Sequence, residues 1–278
     1  MEKVLKIAAF TYNNIGGNPA GVLIDDEHPP ENEMLNIAKE VGYSETAFLK
    51  PHMDGFRIRY FSPEIEIPFC GHATIASGTA IGELHGSGVY KLYLNSDDIS
   101  IDIAKSENIF STTLRSPETC TSEVPTEYID SMLTEFNLNI DDINLNFPIK
   151  FASAGAKHII IFLNSREKLS KMEYQLEPVK NLMFKEEIST ISLLWEESEN
   201  RIHSRNAFAA GGVYEDPATG AAAAALGGYL RDIKWKGNKS FEVLQGEDMG
   251  FPSQLFVQYT LKKGEGVKVS GKTRFIKK

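Results

Sequence analysis

The spacing of apolar residues along the chain predicts a mixture of strands and helices. Residues 56–61 alternate in character, with Phe56, Ile58 and Tyr60 on one face, which is typical of a half-buried strand. From Glu31 onward, apolar residues recur at helical spacing and predict a helix. Further short apolar runs, bounded by turn-forming residues, predict additional strands on both sides of these elements.

Two segments rich in Ala and Gly, Gly71–Leu84 and Ala218–Leu230, are predicted as helices. Their side chains are small, so each helix fits best where a sheet surrounds it. Each segment follows a strand that carries an arginine, Arg59 or Arg205, and then a proline-containing loop. We therefore predict an α+β fold with two pseudo-symmetric lobes, each a curved mixed sheet or barrel wrapped around a central helix.

The length of 278 residues suits two domains of ordinary size. A stretch with Pro and Ser at 116–125 has the composition of a linker. We predict an N-terminal lobe at 1–116, completed by the C-terminal strand 266–278, and a C-terminal lobe at 117–265. Apolar residues make up 42% of the chain and charged residues 24%, which is typical of globular proteins.

The formal net charge of −9 argues against a nucleic-acid partner, which would need a basic face. Local hydrogen-bond donors can still bind a small anion. The two cysteines, Cys70 and Cys120, lie far apart in sequence, so neither a disulfide framework nor a metal site is expected. The chain has neither a signal-peptide pattern nor a membrane-spanning apolar run, so we expect a cytoplasmic protein without membrane association.

The sequence around Gly71 is the first candidate site. A helix that begins there presents unpaired N–H groups and the positive end of its dipole, which suits a substrate carboxylate. His72 is either a proton donor or shuttle, or a residue that only caps the helix. The thiol of Cys70 could have a lowered pKa and act as a base, or Cys70 could be a small buried apolar residue.

A second candidate site surrounds Asp216. Because Pro217 follows it, and proline is favoured in the first helical position, Asp216 is predicted to be the N-cap of the second small-residue helix. A carboxylate beside the N–H donors of a helix also suits a zwitterionic substrate, since it can bind the amine. One residue can serve both purposes.

Glu45 opens a predicted strand in which Glu45, Ala47 and Leu49 share a face. If that face points inward, desolvation would raise the pKa of Glu45 toward the range of a general acid/base. If it points outward, Glu45 is a solvated charge, and the spacing alone favours this alternative. The glycine-rich loop 16–21 matches no nucleotide-binding fingerprint.

Five segments, taken in order, resemble the PhzF-like proteins of phenazine biosynthesis. They are Phe10 with Asn18-Pro19-Ala20, then Ser44-Glu45-Thr46-Ala47-Phe48, Arg59-Tyr60-Phe61-Ser62-Pro63, Phe69-Cys70-Gly71-His72-Ala73-Thr74 and Glu215-Asp216-Pro217-Ala218-Thr219-Gly220. The resemblance implies the diaminopimelate epimerase-like fold, with the active site between the two lobes. It also implies a homodimer and an isomerase that uses no cofactor and no metal.

The resemblance implies a role for each matching residue. Glu45 would be the general acid/base, with His72 and Asp216 as the assisting catalytic residues. The substrate would be a small carboxylate-bearing molecule, as for the family's isomerase of trans-2,3-dihydro-3-hydroxyanthranilate. The residues implied to bind substrate are Asn18, Gly71, Ala73, Thr219, Gly220 and Ala221. At Ala221 the phenazine enzyme has a serine, a departure that bears on the choice of substrate.

Two further functions are compatible with the same residues. An epimerase, racemase or dehydratase would use the thiol of Cys70. The equivalent position in the second segment is Thr219, which disfavours a symmetric two-thiol racemase but not a single-thiol dehydratase. Alternatively, the helix starts could bind a small acid without catalysis.

Overall fold

A computed structural model describes residues 3–96, 98–107 and 109–277. The chain divides into two compact units. Unit 1 comprises Met1–Arg115 and Ser270–Lys278, and unit 2 comprises Ser116–Val269. The division into an N-terminal lobe (1–116 with 266–278) and a C-terminal lobe (117–265) remains a prediction. Among the described residues, no helix combines the length and the apolar character needed to span a membrane.

In the part of unit 1 that the structure describes, two helices and eight strands follow one another along the chain, and a last strand comes from the C-terminal region. The elements are β1 (Leu5–Ala9), β2 (Asn18–Ile24), α1 (Glu31–Val41), β3 (Thr46–His52), β4 (Gly55–Phe61), β5 (Glu66–Ile67), α2 (Gly71–His85), β6 (Gly88–Tyr93), β7 (Asp98–Ser106) and β8 (Ile109–Arg115), with β17 (Lys268–Phe275) from the C-terminal region.

The strands of unit 1 close into a barrel. β2 and β3 are parallel, β4 and β6 are parallel, and the pairs β1–β2, β3–β4, β6–β7 and β7–β8 are antiparallel. The last strand, β17, pairs with both β1 and β8 and so joins the two ends of the sheet. A strand at the edge of an open sheet exposes unpaired backbone groups. Because β17 pairs with β1 and β8, neither β1 nor β8 is left at an open edge.

The helix α2 runs through the core of unit 1. Every residue from His72 to Gly82 is buried, and most of these residues are Ala, Gly, Ser or Thr. A Cβ atom added at Gly78 would lie 2.2 Å from Oγ1 of Thr112 on β8. Small residues are therefore required here, because the sheet approaches the helix backbone closely.

Unit 2 contains four helices and eight strands among the described residues. The elements are β9 (Cys120–Glu123), α3 (Thr126–Glu135), β10 (Lys150–Ser153), β11 (Lys157–Phe162), α4 (Arg166–Ser170), α5 (Leu176–Lys185), β12 (Thr190–Ser198), β13 (Arg201–Ala207), β14 (Glu215–Asp216), α6 (Gly220–Asp232), β15 (Ser240–Gln245) and β16 (Ser253–Gln258).

The strand order of unit 1 recurs in unit 2. β11 and β12 are parallel, as are β13 and β15, whereas β10–β11, β12–β13, β13–β14 and β15–β16 are antiparallel. By this pattern β4, β5, α2 and β6 correspond to β13, β14, α6 and β15. The pseudo-repeat predicted from the sequence is thus present as a repeat of strand pairing.

The helix α6 is the counterpart of α2 and is buried from Ala222 to Arg231. A Cβ atom at Gly228 would lie 2.6 Å from Cβ of Thr119. The prediction of two small-residue helices is confirmed. The second helix begins at Gly220, two residues later than the sequence suggested, because Pro217 and Ala218 belong to the loop that precedes it.

Candidate active site

The first group of predicted site residues surrounds the start of α2, which we call the His72 turn (residues 70–74). Cys70 is the N-cap, in extended conformation with φ −139° and ψ 115°. The hydroxyl of Thr74 donates to the carbonyl oxygen of Cys70 at 2.7 Å, and the hydroxyl of Tyr60 lies 2.6 Å from Oγ1 of Thr74. These buried contacts fix the turn against β4.

Glu45 meets His72 at this turn. Oε2 of Glu45 lies 3.2 Å from Nε2 of His72, and the two side chains are only 16% and 9% exposed. Glu45 immediately precedes β3, and its carbonyl accepts a hydrogen bond from Gly21 on β2. Oγ of Ser44 lies 3.5 Å from the same ring nitrogen of His72. The segment before β3 therefore presents the carboxylate to the helix start.

The burial of residues 45–49 does not follow the alternation assumed in the sequence analysis. Residues 46–49 are all buried, so both faces of the strand are covered. The inward or outward choice for Glu45 could not be made from spacing, because Glu45 lies outside the strand. Its orientation depends on the contact with His72.

The electrostatics of this pair favour opposite charges. Burial opposes ionisation of Glu45, but the hydrogen bond and charge of His72 outweigh it, so the pKa of Glu45 lies below its ordinary value. Burial likewise opposes protonation of His72, but Cys70 and Glu45 outweigh it and raise the pKa of His72 well above 6.5. Both shifts favour the ion pair, a Glu45 carboxylate beside a His72 imidazolium.

Cys70 contacts the other side of the same ring. Its Sγ lies 3.4 Å from Nδ1 of His72. Burial raises the pKa of the Cys70 thiol, and the opposing effect of His72 does not overcome this. The thiolate of Cys70 is therefore disfavoured, and Cys70 is a weaker candidate for the base than Glu45.

The same three residues could also hold a metal ion. A carboxylate oxygen of Glu45, Sγ of Cys70 and a ring nitrogen of His72 all lie within 4.8 Å of one another. Thiolate, imidazole and carboxylate are the ligands that Zn²⁺ takes in proteins. Such binding would require His72 and Cys70 to lose their protons.

The other predicted site residues of unit 1 lie in the elements around this turn. Gly71 and Ala73 are in the first turn of α2, and Ala73 is fully buried. Asn18 begins β2 and is buried, with Ala9 as its partner on β1. The structure thus brings Glu45, His72, Gly71 and Ala73 to one helix start.

The second group, which we call the Asp216 turn (residues 216–221), belongs to unit 2. Asp216 ends the short strand β14, and Thr219 is the N-cap of α6. The hydroxyl of Thr219 donates to Oδ2 of Asp216. The prediction that Asp216 is the N-cap is wrong, because the loop residues 217–218 separate it from the helix. Gly220 and Ala221, both half-buried, begin the helix.

A residue that the sequence analysis missed lies beneath the Asp216 turn. Gln245, at the end of β15, is 1% exposed and bonds with both Asp216 and Thr219. A signal was present in the sequence. Phe241, Val243 and Gln245 share the inward face of one strand, and an amide on an otherwise apolar face needs polar partners.

Both short strands before the central helices are held by an arginine. Arg59 on β4 bonds with Glu66 on β5, and Arg205 on β13 bonds with Glu215 on β14. The second pair is the more buried, with side chains 9% and 3% exposed. The two arginines singled out in the sequence therefore anchor the segments that lead into the two turns.

Known proteins resemble this chain over nearly its whole length. The family model described as phenazine biosynthesis-like protein (PhzC-PhzF) matches residues 7–277. The uncharacterized isomerase YfhB of Bacillus subtilis is 28% identical, over 99% of this chain and 98% of its own length. Trans-2,3-dihydro-3-hydroxyanthranilate isomerase of Pseudomonas fluorescens is 29% identical, over 93% of this chain and 90% of its own.

A solved structure shows the same fold. The PhzF-family phenazine biosynthesis protein of Bacillus anthracis superposes with a TM-score of 0.86 at 23% identity, covering 99% of this chain and 96% of its own. The predicted α+β, diaminopimelate epimerase-like fold is confirmed. With the family model spanning nearly the whole chain and the curated relatives named as isomerases, the chain belongs to the PhzC-PhzF family of phenazine biosynthesis-like proteins and is an isomerase.

Proposed function

We propose that this isomerase moves a proton on a small, carboxylate-bearing, amino acid-like substrate, with Glu45 as the general acid/base and without a cofactor. One observation carries the proposal. The carboxylate of Glu45, shielded from water, lies 3.2 Å from the ring of His72 at the start of α2. His72 keeps the pKa of Glu45 below its ordinary value, which favours the ionised form that a general base requires.

The proposed reaction needs one proton and one carboxylate. Glu45 removes a proton from an activated carbon of the substrate, and the bonding electrons shift within the substrate toward a second carbon. Glu45 then returns the same proton to that second carbon. The imidazolium of His72 stabilises the Glu45 carboxylate before the first transfer and after the second. Because the proton and the bonding electrons only change position within the substrate, no outside oxidant or reductant is required.

Two sets of groups are proposed to bind the substrate. The N–H donors of Gly71 and Ala73, at the positive end of α2, bind a carboxylate, together with Asn18. The carboxylate of Asp216 binds an amine, and Thr219, Gly220 and Ala221 offer the donors at the start of α6. The relative that isomerises trans-2,3-dihydro-3-hydroxyanthranilate acts on a molecule with both groups, which supports this class. Ala221 itself offers no side-chain hydroxyl.

The test is the Glu45→Gln variant, which keeps the size of the side chain and removes its charge. Positioned acid/base catalysis contributes about 10²–10⁴-fold, so turnover should fall at least about 100-fold while the protein stays folded. Candidate amino and hydroxy acids, beginning with trans-2,3-dihydro-3-hydroxyanthranilate, are incubated in D₂O and followed by proton NMR. Glu40→Gln, on the exposed side of α1, is the matched control. Near-normal turnover by Glu45→Gln would refute the assignment, and no exchange across a broad panel would favour a binding protein.

We further propose that the enzyme is a cytoplasmic homodimer. The homodimer is what the resemblance to the PhzF-like proteins implies. The free thiols of Cys70 and Cys120 support the cytoplasmic setting. Light scattering coupled to size-exclusion chromatography measures the mass directly. A mass near 30.9 kDa would mean a monomer and contradict this part of the proposal.

A further inference from the structure

We infer that Gln245 is a positioning residue that holds the Asp216 turn in the geometry needed to bind substrate. The inference concerns a residue outside the candidate acid/base group. Its structural part, that Gln245 fixes residues 216–219, stands on the hydrogen bonds of unit 2. Its kinetic part rests on the proposed function, in which Asp216 and the start of α6 bind the substrate.

Gln245 uses its whole side-chain amide in hydrogen bonds. Nε2 donates to the carbonyl oxygen of Asp216 at 2.7 Å and to Oγ1 of Thr219 at 3.1 Å. Oε1 accepts from the backbone N–H of Thr219 at 3.2 Å and from Nδ2 of Asn206 at 3.3 Å. An amide offers two donors and two strong acceptor positions, so every one of them is occupied.

Three of these four bonds reach the Asp216 turn, and they span its residues 216–219. One end of the turn is held at the carbonyl of Asp216, and the other at the N–H and hydroxyl of Thr219. The Thr219 hydroxyl, which accepts from Gln245, donates in turn to the carboxylate of Asp216. Gln245 thereby fixes the hydroxyl that orients the carboxylate proposed to bind the substrate amine.

The backbone after Gln245 is pressed against the same loop. Gly246 has φ +75°, and a Cβ atom there would lie 2.7 Å from the carbonyl oxygen of Pro217 and 2.4 Å from that of Phe251. Only glycine accepts this combination of left-handed backbone and close approach. The end of β15 is thus shaped to support residues 216–219.

Unit 1 holds its equivalent turn in another way. By strand register, Tyr60 pairs with Ile67 on β5, and Asn206 pairs with Asp216 on β14. Tyr60 contacts Thr74, which bonds back to the N-cap residue of its own helix. In α6 the position equivalent to Thr74 is Ala223, which has no hydroxyl. Gln245 and Asn206 supply the support that the helix itself lacks.

The buried hydrogen bonds of Gln245 do not by themselves explain why a polar residue stands at this position. Burying an amide costs free energy that its hydrogen bonds only offset, and an apolar residue at the end of β15 would avoid the cost. What the amide adds is direction, because its donors and acceptors fix the positions of specific backbone groups. This is the reason for assigning Gln245 to positioning.

The direct test is hydrogen–deuterium exchange of the Gln245→Met variant, which keeps an unbranched side chain of similar length. Losing the bonds to Thr219 and Asp216 should speed amide exchange in the segment 216–223 by about tenfold, with the rest of unit 2 unchanged. Gln258→Met, on the exposed end of β16, is the matched control. Unchanged exchange in this segment, or faster exchange throughout unit 2, would overturn the inference.

The kinetic test uses trans-2,3-dihydro-3-hydroxyanthranilate. Gln245→Met should raise KM about tenfold and change kcat much less, because binding geometry is lost while Glu45 is untouched. A merely structural role would lower apparent kcat through the active fraction and leave KM unchanged, which would overturn the kinetic part.

A second variant, Gln245→Glu, tests whether hydrogen-bond donation by this side chain is what matters. In Gln245→Glu the introduced carboxyl cannot donate when ionised, but it can donate again when protonated. KM should therefore recover toward the wild-type value as the pH is lowered, and no recovery would count against positioning. If Glu45→Gln retained turnover, the proposed function would fail, whereas hydrogen exchange would still decide the role of Gln245.

Discussion

The two central helices begin alike in backbone but differ in chemistry. Each starts with a glycine after an extended N-cap residue, Cys70 before α2 and Thr219 before α6, and neither cap makes a side-chain capping hydrogen bond. The next residue is His72 in one helix and Ala221 in the other. The His72 turn gathers a thiol, an imidazole and a carboxylate, whereas the Asp216 turn gathers one carboxylate, one hydroxyl and an amide.

This difference shows how a repeated fold can divide its tasks. The same strand–loop–helix unit supplies N–H donors twice, so both turns can bind an anion. In the His72 turn, the pKa of Glu45 is lowered and the pKa of His72 is raised, as in an ion pair. We therefore expect changes in the His72 turn to lower kcat and changes in the Asp216 turn to raise KM.

The largest expected effect tests that division directly. Glu45→Gln should lower kcat at least about 100-fold, whereas Asp216→Asn should raise KM about tenfold and lower kcat far less. Steady-state kinetics on the substrate found by the D₂O screen measures both, with Asp130→Asn on the exposed side of α3 as a control. An equal loss of kcat in Glu45→Gln and Asp216→Asn would show that the two turns share the chemistry.

A stability test asks whether the two helices are packed alike. Gly78→Ala in α2 and Gly228→Ala in α6 each place a methyl group against a buried threonine, at 2.2 Å and 2.6 Å respectively. Each should lower the free energy of unfolding by about 1–3 kcal/mol, although alanine is the better helix former. Urea denaturation measures the change. An unchanged or increased free energy of unfolding in either variant would mean that the threonine beside the new methyl group can move away at little cost.

The pH dependence follows from the shifted pKa values at the His72 turn. His72 has a raised pKa, so its contribution to stability is complete below 6.5 and is lost as pH rises through the higher folded value. Glu45 has a lowered pKa, so its contribution is present above 4.5 and is lost as pH falls through the lower folded value. The pair stabilises unit 1 most between these limits.

Glu45→Gln should therefore destabilise the protein most between pH 4.5 and 6.5 and should lower the pKa of His72, since the carboxylate that raises it is gone. Nitrogen-detected NMR of the imidazole ring follows this titration, and chemical denaturation at several pH values follows stability. A wild-type His72 that titrates at or below 6.5 would contradict the ion pair.

The smallest effect is expected for Cys70→Ala. The thiol is buried and its pKa is raised, so it does not act as the base, and turnover should stay within about fivefold of the wild type, or ~1 kcal/mol. The D₂O assay measures it. A loss comparable with that of Glu45→Gln would favour the epimerase, racemase or dehydratase that depends on the thiol.

Much of the fold could be predicted from the sequence because the two central helices have an unusual composition. Helices made largely of Ala and Gly allow a sheet to approach the helix backbone closely, as it does at Gly78 and Gly228. The start of α6 was misplaced because a proline after an aspartate is a common helix start, and here the pairing of β14 with β13 holds Asp216 in the sheet instead.

The candidate site could be predicted only in part. His72 and Asp216 were found because each lies beside a helix start that is visible in the sequence. Glu45 could not be placed by spacing, since it lies before the strand and not within it, and its selection depended on family resemblance. Gln245 was missed because its partners come from a loop 26–29 residues earlier in the chain.

By itself, the sequence determined which helices could be buried and which residues carry titratable groups at their starts, because side-chain size and local backbone preferences act over a few residues. Tertiary structure alone decided that Glu45 meets His72 and that Gln245 supports Asp216 and Thr219. The physical reason is that charge pairing and buried hydrogen bonding depend on distances across the sheet, which strand register sets and local sequence does not encode.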